Sequence, residues 1–160
     1  MRKHTSWWKG ARGEWWVVGQ TALLAALVFA PAAWRWGGPS RTPWIVLGML
    51  LVAAGLAFAG KGLLDLGPSL SPLPRPRRHA VLIQTGTYVF ARHPIYGGLI
   101  VAGIGWALWK TSGLHLVLAA ALAIYLDAKG RIEEAHLVER FPAYAIYRAR
   151  VTRRLIPWIF

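Results

Sequence analysis

No cysteine occurs in the 160 residues, which excludes disulfides and thiolate metal sites. Acidic residues are scarce too: six Asp and Glu stand against 19 Lys and Arg, for a formal net charge of +13. Charged residues make up only 16% of the chain and hydrophobic residues 56%, a balance that fits an integral membrane protein better than a soluble globule. Motifs are missing as well. There is no HExxH, no G-x-S-x-G and no G-x-G-x-x-G after a strand pattern, and the five His (4, 79, 93, 115, 136) have no ligand spacing. Metal catalysis and serine hydrolysis therefore rank low, and no metal is expected. No internal repeat or low-complexity tract is present, and the length suits one domain.

What the chain has is four apolar runs. The first, Trp15 to Trp34, is broken only by Gln20 and Thr21, and about 20 residues at about 1.5 Å each cross a bilayer core. Ala30-Pro31-Ala32 behind a basic start resembles a signal-peptide cleavage site, a rival reading that the later runs and the Trp-rich start disfavour. The second run, Pro43 to Gly60, carries Gly55 and Ala59 four apart, a small-xxx-small pattern that permits close helix approach. The third and fourth, Ile95 to Trp109 and Leu114 to Leu126, are shorter and joined by a tight turn, as in a helical hairpin. The fourth is expected to continue as a helix into water, through Asp127 to Arg140. Between the second and third runs, Leu63 and Leu64 can extend a helix, after which Pro68, Pro72, Pro74 and Pro76 forbid regular structure.

The charge is distributed by side. All Lys and Arg except Arg35, Arg41 and Lys110 lie in the N-terminal arm, the Pro-rich connection or the C-terminal segment. The positive-inside rule then places both termini and the connection in the cytoplasm. The basic charge is therefore topology, and no nucleic-acid partner is expected. Trp7, Trp8, Trp158 and Phe160 suit interface anchors. The expected fold is all-α: an integral protein of the inner membrane with about four transmembrane helices, the last two a short hairpin, and a cytoplasmic C-terminal helical segment. It forms one membrane domain over residues 1–160, with two spans in 1–60 and the candidate catalytic region in 61–160.

Three groups of residues can carry chemistry. Thr85 to Gly98 leads from a Gly turn through Arg92, His93 and Pro94 directly into the third run. Pro is tolerated at a helix start, where its missing N–H has no intrahelical partner, so Arg92 and His93 fall at a helix mouth on the membrane surface. Glu133 and Glu134 lie on the helix leaving the fourth run; adjacent helical residues point about 100° apart, so the two have different jobs. Tyr144 and Tyr147 are three apart and share a helix face, which suits one of them to a pocket wall, while Arg148, Arg150, Arg153 and Arg154 suit a basic helix on the inner leaflet.

In this order the pieces resemble one family. Gly86-x-Tyr88, Arg92-His93-Pro94-x-Tyr96-x-Gly98, two short spans, Glu133-Glu134-x-x-Leu137, Tyr144-x-x-Tyr147 and Ile156-Pro157 look like the isoprenylcysteine carboxyl methyltransferase and phospholipid methyltransferase superfamily of integral membrane enzymes, over roughly residues 61–160. The resemblance implies S-adenosylmethionine as methyl donor, bound on the cytoplasmic side between the last two spans and the tail. It implies cofactor contacts from Gly86, Tyr88, His93, Pro94, Tyr96, Glu133, Glu134, Leu137 and Tyr147; the catalytic candidates, chosen by the chemistry of methyl transfer, are His93, Arg92 and Arg131. The family often has Gly-Pro-Tyr where this chain has Gly86-Thr87-Tyr88, and Phe-Gly-x-x-Tyr where it has Phe141-Pro142-Ala143-Tyr144. The second departure falls near the expected substrate mouth and leaves the acceptor open: isoprenylcysteine carboxylate, amine lipid or thiol, in each case lipid-like or small and apolar, with membrane lipid as surroundings.

A sulfonium donor is already activated, so the protein mainly aligns nucleophile, methyl and leaving sulfur, without metal or covalent nucleophile. A carboxylate acceptor would need a cation, for which Lys129, Arg131 and Arg92 are candidates that spacing does not separate. An amine or thiol would need a proton acceptor, for which His93 is placed. An NADPH-dependent membrane reductase of the sterol or isoprenoid type and a non-enzymatic membrane assembly protein are the alternatives.

Overall fold

The structure is a computed structural model that describes residues 13–74 and 79–156. The expected N-terminal anchors Trp7 and Trp8, the cations Arg75, Arg77 and Arg78, and the final Pro157, Trp158 and Phe160 lie outside the described residues. Among the described residues five α-helices carry the fold: α1 Glu14–Phe29, α2 Thr42–Leu66, α3 Pro94–Lys110, α4 Gly113–Arg140 and α5 Tyr144–Arg150. Short 3-10 turns cover Gly38–Ser40, Gly67–Ser69 and Gly86–Val89, and no strand occurs among the described residues. The expected continuation of the fourth run is present, since α4 is unbroken to Arg140. The second run extends past Gly60 to Leu66, where Gly67 and Pro68 end it.

The α2 region over Gly38–Ser69 and α4 are long and apolar enough to cross a membrane. α1 and α3 are shorter, with 16 and 17 residues. Large apolar side chains face outward on several helices, among them Phe29, Leu50, Val117 and Ile124. An exposed apolar surface on this scale is what a hydrocarbon solvent would cover.

α2 packs along α3, α3 along α4, and α1 along α4. The α2–α3 contact is built from absent side chains. Gly48, Gly55 and Gly62 recur every seven residues on α2, and Gly98 and Gly105 face them from α3. A Cβ on Gly98 would press on the Gly55 carbonyl and on Ala59, so the spacing of Gly55 and Ala59 does bring two backbones together. On the other side of α3, Tyr96 and Ile100 join Leu27 of α1, Ala119, Leu122 and Leu126 of α4, and Leu155 of the tail in one apolar cluster.

Both ends of the α3–α4 hairpin are tied down. At the turn, Ser112 caps α4, donates to the Ala33 carbonyl at 2.9 Å and sits 2.8 Å from His115 Nδ1. At the opposite end the tail returns over the start of α3: the Arg92 and His93 amides donate to the Arg153 and Arg154 carbonyls at 3.0 and 2.8 Å. Gly97 lies directly under the Leu155 carbonyl, leaving no room for a Cβ.

Gly55→Leu is expected to lower stability by about 1–3 kcal/mol through overpacking. Gly60→Ala meets open space and should be neutral or raise stability by up to about 1 kcal/mol. Thermal unfolding of the detergent-solubilised variants checks both.

Candidate functional site

The site forms where the start of α3, the second half of α4, α5, the tail and the connection between α2 and α3 meet. Gly86 sets the connection's final turn with φ +63, a conformation favoured by Gly. The Asp65 carboxylate, at the end of α2, accepts hydrogen bonds from the Thr87 amide at 2.8 Å and the Thr87 hydroxyl at 2.9 Å, and Lys61 pairs with the same carboxylate. A proline at position 87 would have no amide to donate, so the departure from Gly-Pro-Tyr has a local structural use. The next residue, Tyr88, offers its carbonyl to the Tyr147 hydroxyl at 2.7 Å. The turn is thus held from α2 on one side and from α5 on the other.

The two adjacent acids divide their work as the helix geometry requires. Glu134 is buried and accepts from Arg92 Nε at 2.8 Å. It also lies 3.4 Å from Arg154 Nε, whose Nη1 donates to Asp127 at 2.6 Å. Arg92 Nη1 donates in addition to the Val151 and Thr152 carbonyls, both at 2.7 Å. Glu133, roughly 100° around the helix, accepts from the Tyr96 hydroxyl at 2.5 Å and lies 3.9 Å from Lys129 Nζ. His93 sits between the acids, with Nδ1 3.5 Å from Glu133 and Nε2 3.4 Å from Glu134. Its ring stacks parallel to Tyr96 at 5.5 Å.

These contacts set protonation states. Burial alone would push the His93 imidazole down, but the two carboxylates outweigh it and hold the group above its usual 6.5. Burial raises the Tyr88 and Tyr144 phenols, and it pushes Tyr147 up to about 12. All three remain neutral hydroxyls at physiological pH.

A cavity of about 380 Å³, mostly apolar, opens against this network. Of the residues singled out in the sequence, Tyr88, Arg92, His93, Tyr96, Glu133, Leu137 and Tyr147 line it. Glu134 stands behind the wall in its ion pairs, Gly86 shapes the turn, and Pro94 is buried at the head of α3. Arg131 lies elsewhere. Its side chain is 62% exposed and pairs with Asp127 at 2.8 Å. Positions 129, 133 and 137 share one helix face, and Arg131 is about 200° away from Glu133 around the axis. The α4 cation on the cavity face is Lys129, 2% exposed.

Sequence reasoning left other wall residues unassigned. Both Tyr144 and Tyr147 line the cavity rather than one, Phe141 adds a third ring, and Gln20 of α1 reaches the same space. Gln20 had a signal, a lone amide inside an apolar run. The strap formed by residues 69–74 and 80–83 closes one side. Its serines and prolines carry no periodicity from which a wall can be read.

Among the described residues the buried Tyr144 hydroxyl and His93 Nε2 have no aligned hydrogen-bond partner, and buried polar groups are nearly always satisfied. The cavity thus combines unfilled hydrogen-bonding capacity, a carboxylate, a buried ammonium and aromatic walls. Helices long and apolar enough to cross a membrane thus border a cavity lined by polar, charged and aromatic side chains. Residues 43–144, more than half of the chain, match the phospholipid methyltransferase family, and the chain belongs to that family.

Three curated relatives share the similarity in part. A methanethiol S-methyltransferase from Bradyrhizobium diazoefficiens is 43% identical over 72 residues, 44% of this chain and 24% of the relative. The protein-S-isoprenylcysteine O-methyltransferase of Saccharomyces cerevisiae is 37% identical over 73 residues, 44% of this chain and 30% of the relative. A cobalt-zinc-cadmium resistance protein from Cupriavidus metallidurans is 34% identical over 76 residues, 46% of this chain and 35% of the relative. The aligned stretch thus spans only about a quarter to a third of these relatives.

Because folding raises the His93 pKa, the protonated imidazole adds stability that is fully present below the unfolded value of about 6.5. That contribution is lost as pH rises through the higher folded value. The unfolding-temperature gap between the parent and His93→Gln should therefore be widest below about pH 6.5 and shrink above it. In the folded parent, the His93 ring resonances should titrate above 6.5, and Glu133→Gln should lower that midpoint.

Proposed function

We propose that this protein transfers a methyl group from S-adenosylmethionine to a small apolar or lipid-like acceptor at the cytoplasmic face of the inner membrane. The observation that carries the reading is the meeting of His93, Tyr96 and Glu133 around one cavity inside the family-matched segment. Bound there, the sulfonium nucleotide supplies an electrophilic methyl; the residues of this chain bind, orient and exclude water. Tyr88, Tyr144 and Tyr147 suit the faces of a purine. Glu133 suits an ammonium or ribose hydroxyls.

The names of two relatives bear on the acceptor, one a methanethiol S-methyltransferase and the other an isoprenylcysteine O-methyltransferase. A carboxylate acceptor arrives as an anion and needs no base, whereas a thiol must give up its proton as its sulfur takes the methyl. His93, set between two carboxylates on the cavity wall, suits orienting a carboxylate acceptor or taking the proton of a thiol. Arg92 acts through Glu134 and the tail carbonyls to hold that imidazole in place.

The topology in this reading has four spans and cytoplasmic termini. Sixteen to seventeen residues make α1 and α3, lengths that cross a bilayer with local thinning or snorkelling ends. Residues 1–160 form one membrane domain and 61–160 the catalytic region, to which α1 contributes Gln20.

Calorimetric titration of the detergent-purified protein with S-adenosylmethionine tests the reading. Binding is expected, weakened about tenfold or more in His93→Ala and Glu133→Ala. No binding by the parent, or parental affinity in both variants, overturns it. A radiolabelled methyl donor on membrane extract then reports whether label lands in lipid, in protein or in a volatile thioether.

A further inference from the structure

Lys129 is the unusual cation of this site. It is 2% exposed on a helix of membrane character, and a buried ammonium is costly unless it is paired. Two of its three donors are used: one to Gln20 Oε1 of α1 at 2.8 Å and one to the Pro72 carbonyl of the strap at 3.1 Å. Nζ also lies 3.9 Å from Glu133 and 5.2 Å from the centre of the Tyr96 ring. An ammonium and a carboxylate thus stand one helical turn apart on one wall of the cavity, and both groups line it. Further along α4 and at its end, Leu137 and Phe141 pack against Tyr144 and Tyr147 of α5, and all four also line the cavity.

We infer that Lys129 and Glu133 form a subsite for an α-amino-acid zwitterion, with Lys129 receiving the carboxylate and Glu133 the ammonium, and that Gln20 positions Lys129. The inference rests on the methyl-donor reading and deepens it by fixing which way the donor lies: methionine end toward α1 and the strap, purine toward α5. Opposite charges about 4 Å apart on a preorganised wall match a zwitterion whose charged groups are joined through one carbon. Neither charge has to leave water alone, because each already has a partner in the free protein. Gln20 lies outside the family-matched segment 43–144, so this wiring belongs to the first helix of this chain. A hydrocarbon residue at position 20 would leave the ammonium with the Pro72 carbonyl as its one hydrogen-bond acceptor among the described residues.

Two probes that share the nucleoside and differ at the amino acid separate the possibilities. S-adenosylhomocysteine carries the zwitterion and no sulfonium charge; 5′-methylthioadenosine lacks the amino acid. Calorimetric affinities are measured for the full-length parent, Lys129→Met and Gln20→Leu in detergent. The expected result is a loss of about tenfold or more for S-adenosylhomocysteine in Lys129→Met, with 5′-methylthioadenosine affected less than about twofold. Gln20→Leu should show the same selectivity with a smaller loss, and it carries the test if Lys129→Met does not fold. Equal losses for both probes, or no loss for S-adenosylhomocysteine, overturn the subsite. Failure of the parent to bind either probe overturns the methyl-donor reading itself, which separates the two outcomes.

Discussion

The buried pair of Arg92 and Glu134 is the constraint on which the site depends. Its two side chains are 5% and 4% exposed, and breaking a buried pair of this kind from one side costs about 3–5 kcal/mol. The pair does more than cancel charge. Arg92 opens α3, Glu134 sits on α4, and the Val151 and Thr152 carbonyls belong to the tail after α5. One guanidinium therefore fixes three segments far apart in sequence. Arg154 repeats the pattern with Asp127 and Glu134. With only six acids in the chain, three of them (Asp127, Glu133 and Glu134) are concentrated within one stretch of α4.

Glu133 can face the cavity because Glu134 does not. The step of about 100° between neighbours on a helix turns one carboxylate into a brace and the other into a wall group that holds Tyr96, His93 and Lys129. Such a division preorganises the cavity side: the groups facing the ligand are already oriented by partners behind them. It also explains why the His93 pKa lies above its usual value despite burial, since the imidazole gains two acidic neighbours from one dipeptide.

Much of this was legible from the chain. The helical runs, the hairpin, the continuation of α4 and the close approach at Gly55 and Ala59 follow from apolar lengths and small-residue spacing, because those are local properties. The convergence of Arg92, His93, Tyr96 and the acidic pair was legible only as an ordered set of motifs. What escaped was the choice among cations. Arg131 and Lys129 are two residues apart, and helix phase puts one in solvent and the other at the cavity. The role of Gln20 escaped because it depends on which helix α1 lies against, and the strap because Pro and Ser fix no face. The Thr87 departure was visible but not interpretable until Asp65 was seen beneath it.

The glycine seam between α2 and α3 has a mechanical consequence. Where two backbones touch, no side-chain volume remains to be rearranged, so the pair behaves as a single stiff plank. Any breathing that admits a ligand must then come from parts without such a seam. Among these are α1 and the proline strap, both moored to the same lysine ammonium through Gln20 and Pro72. A single buried amine is thereby the hasp of two panels that stand against the chamber.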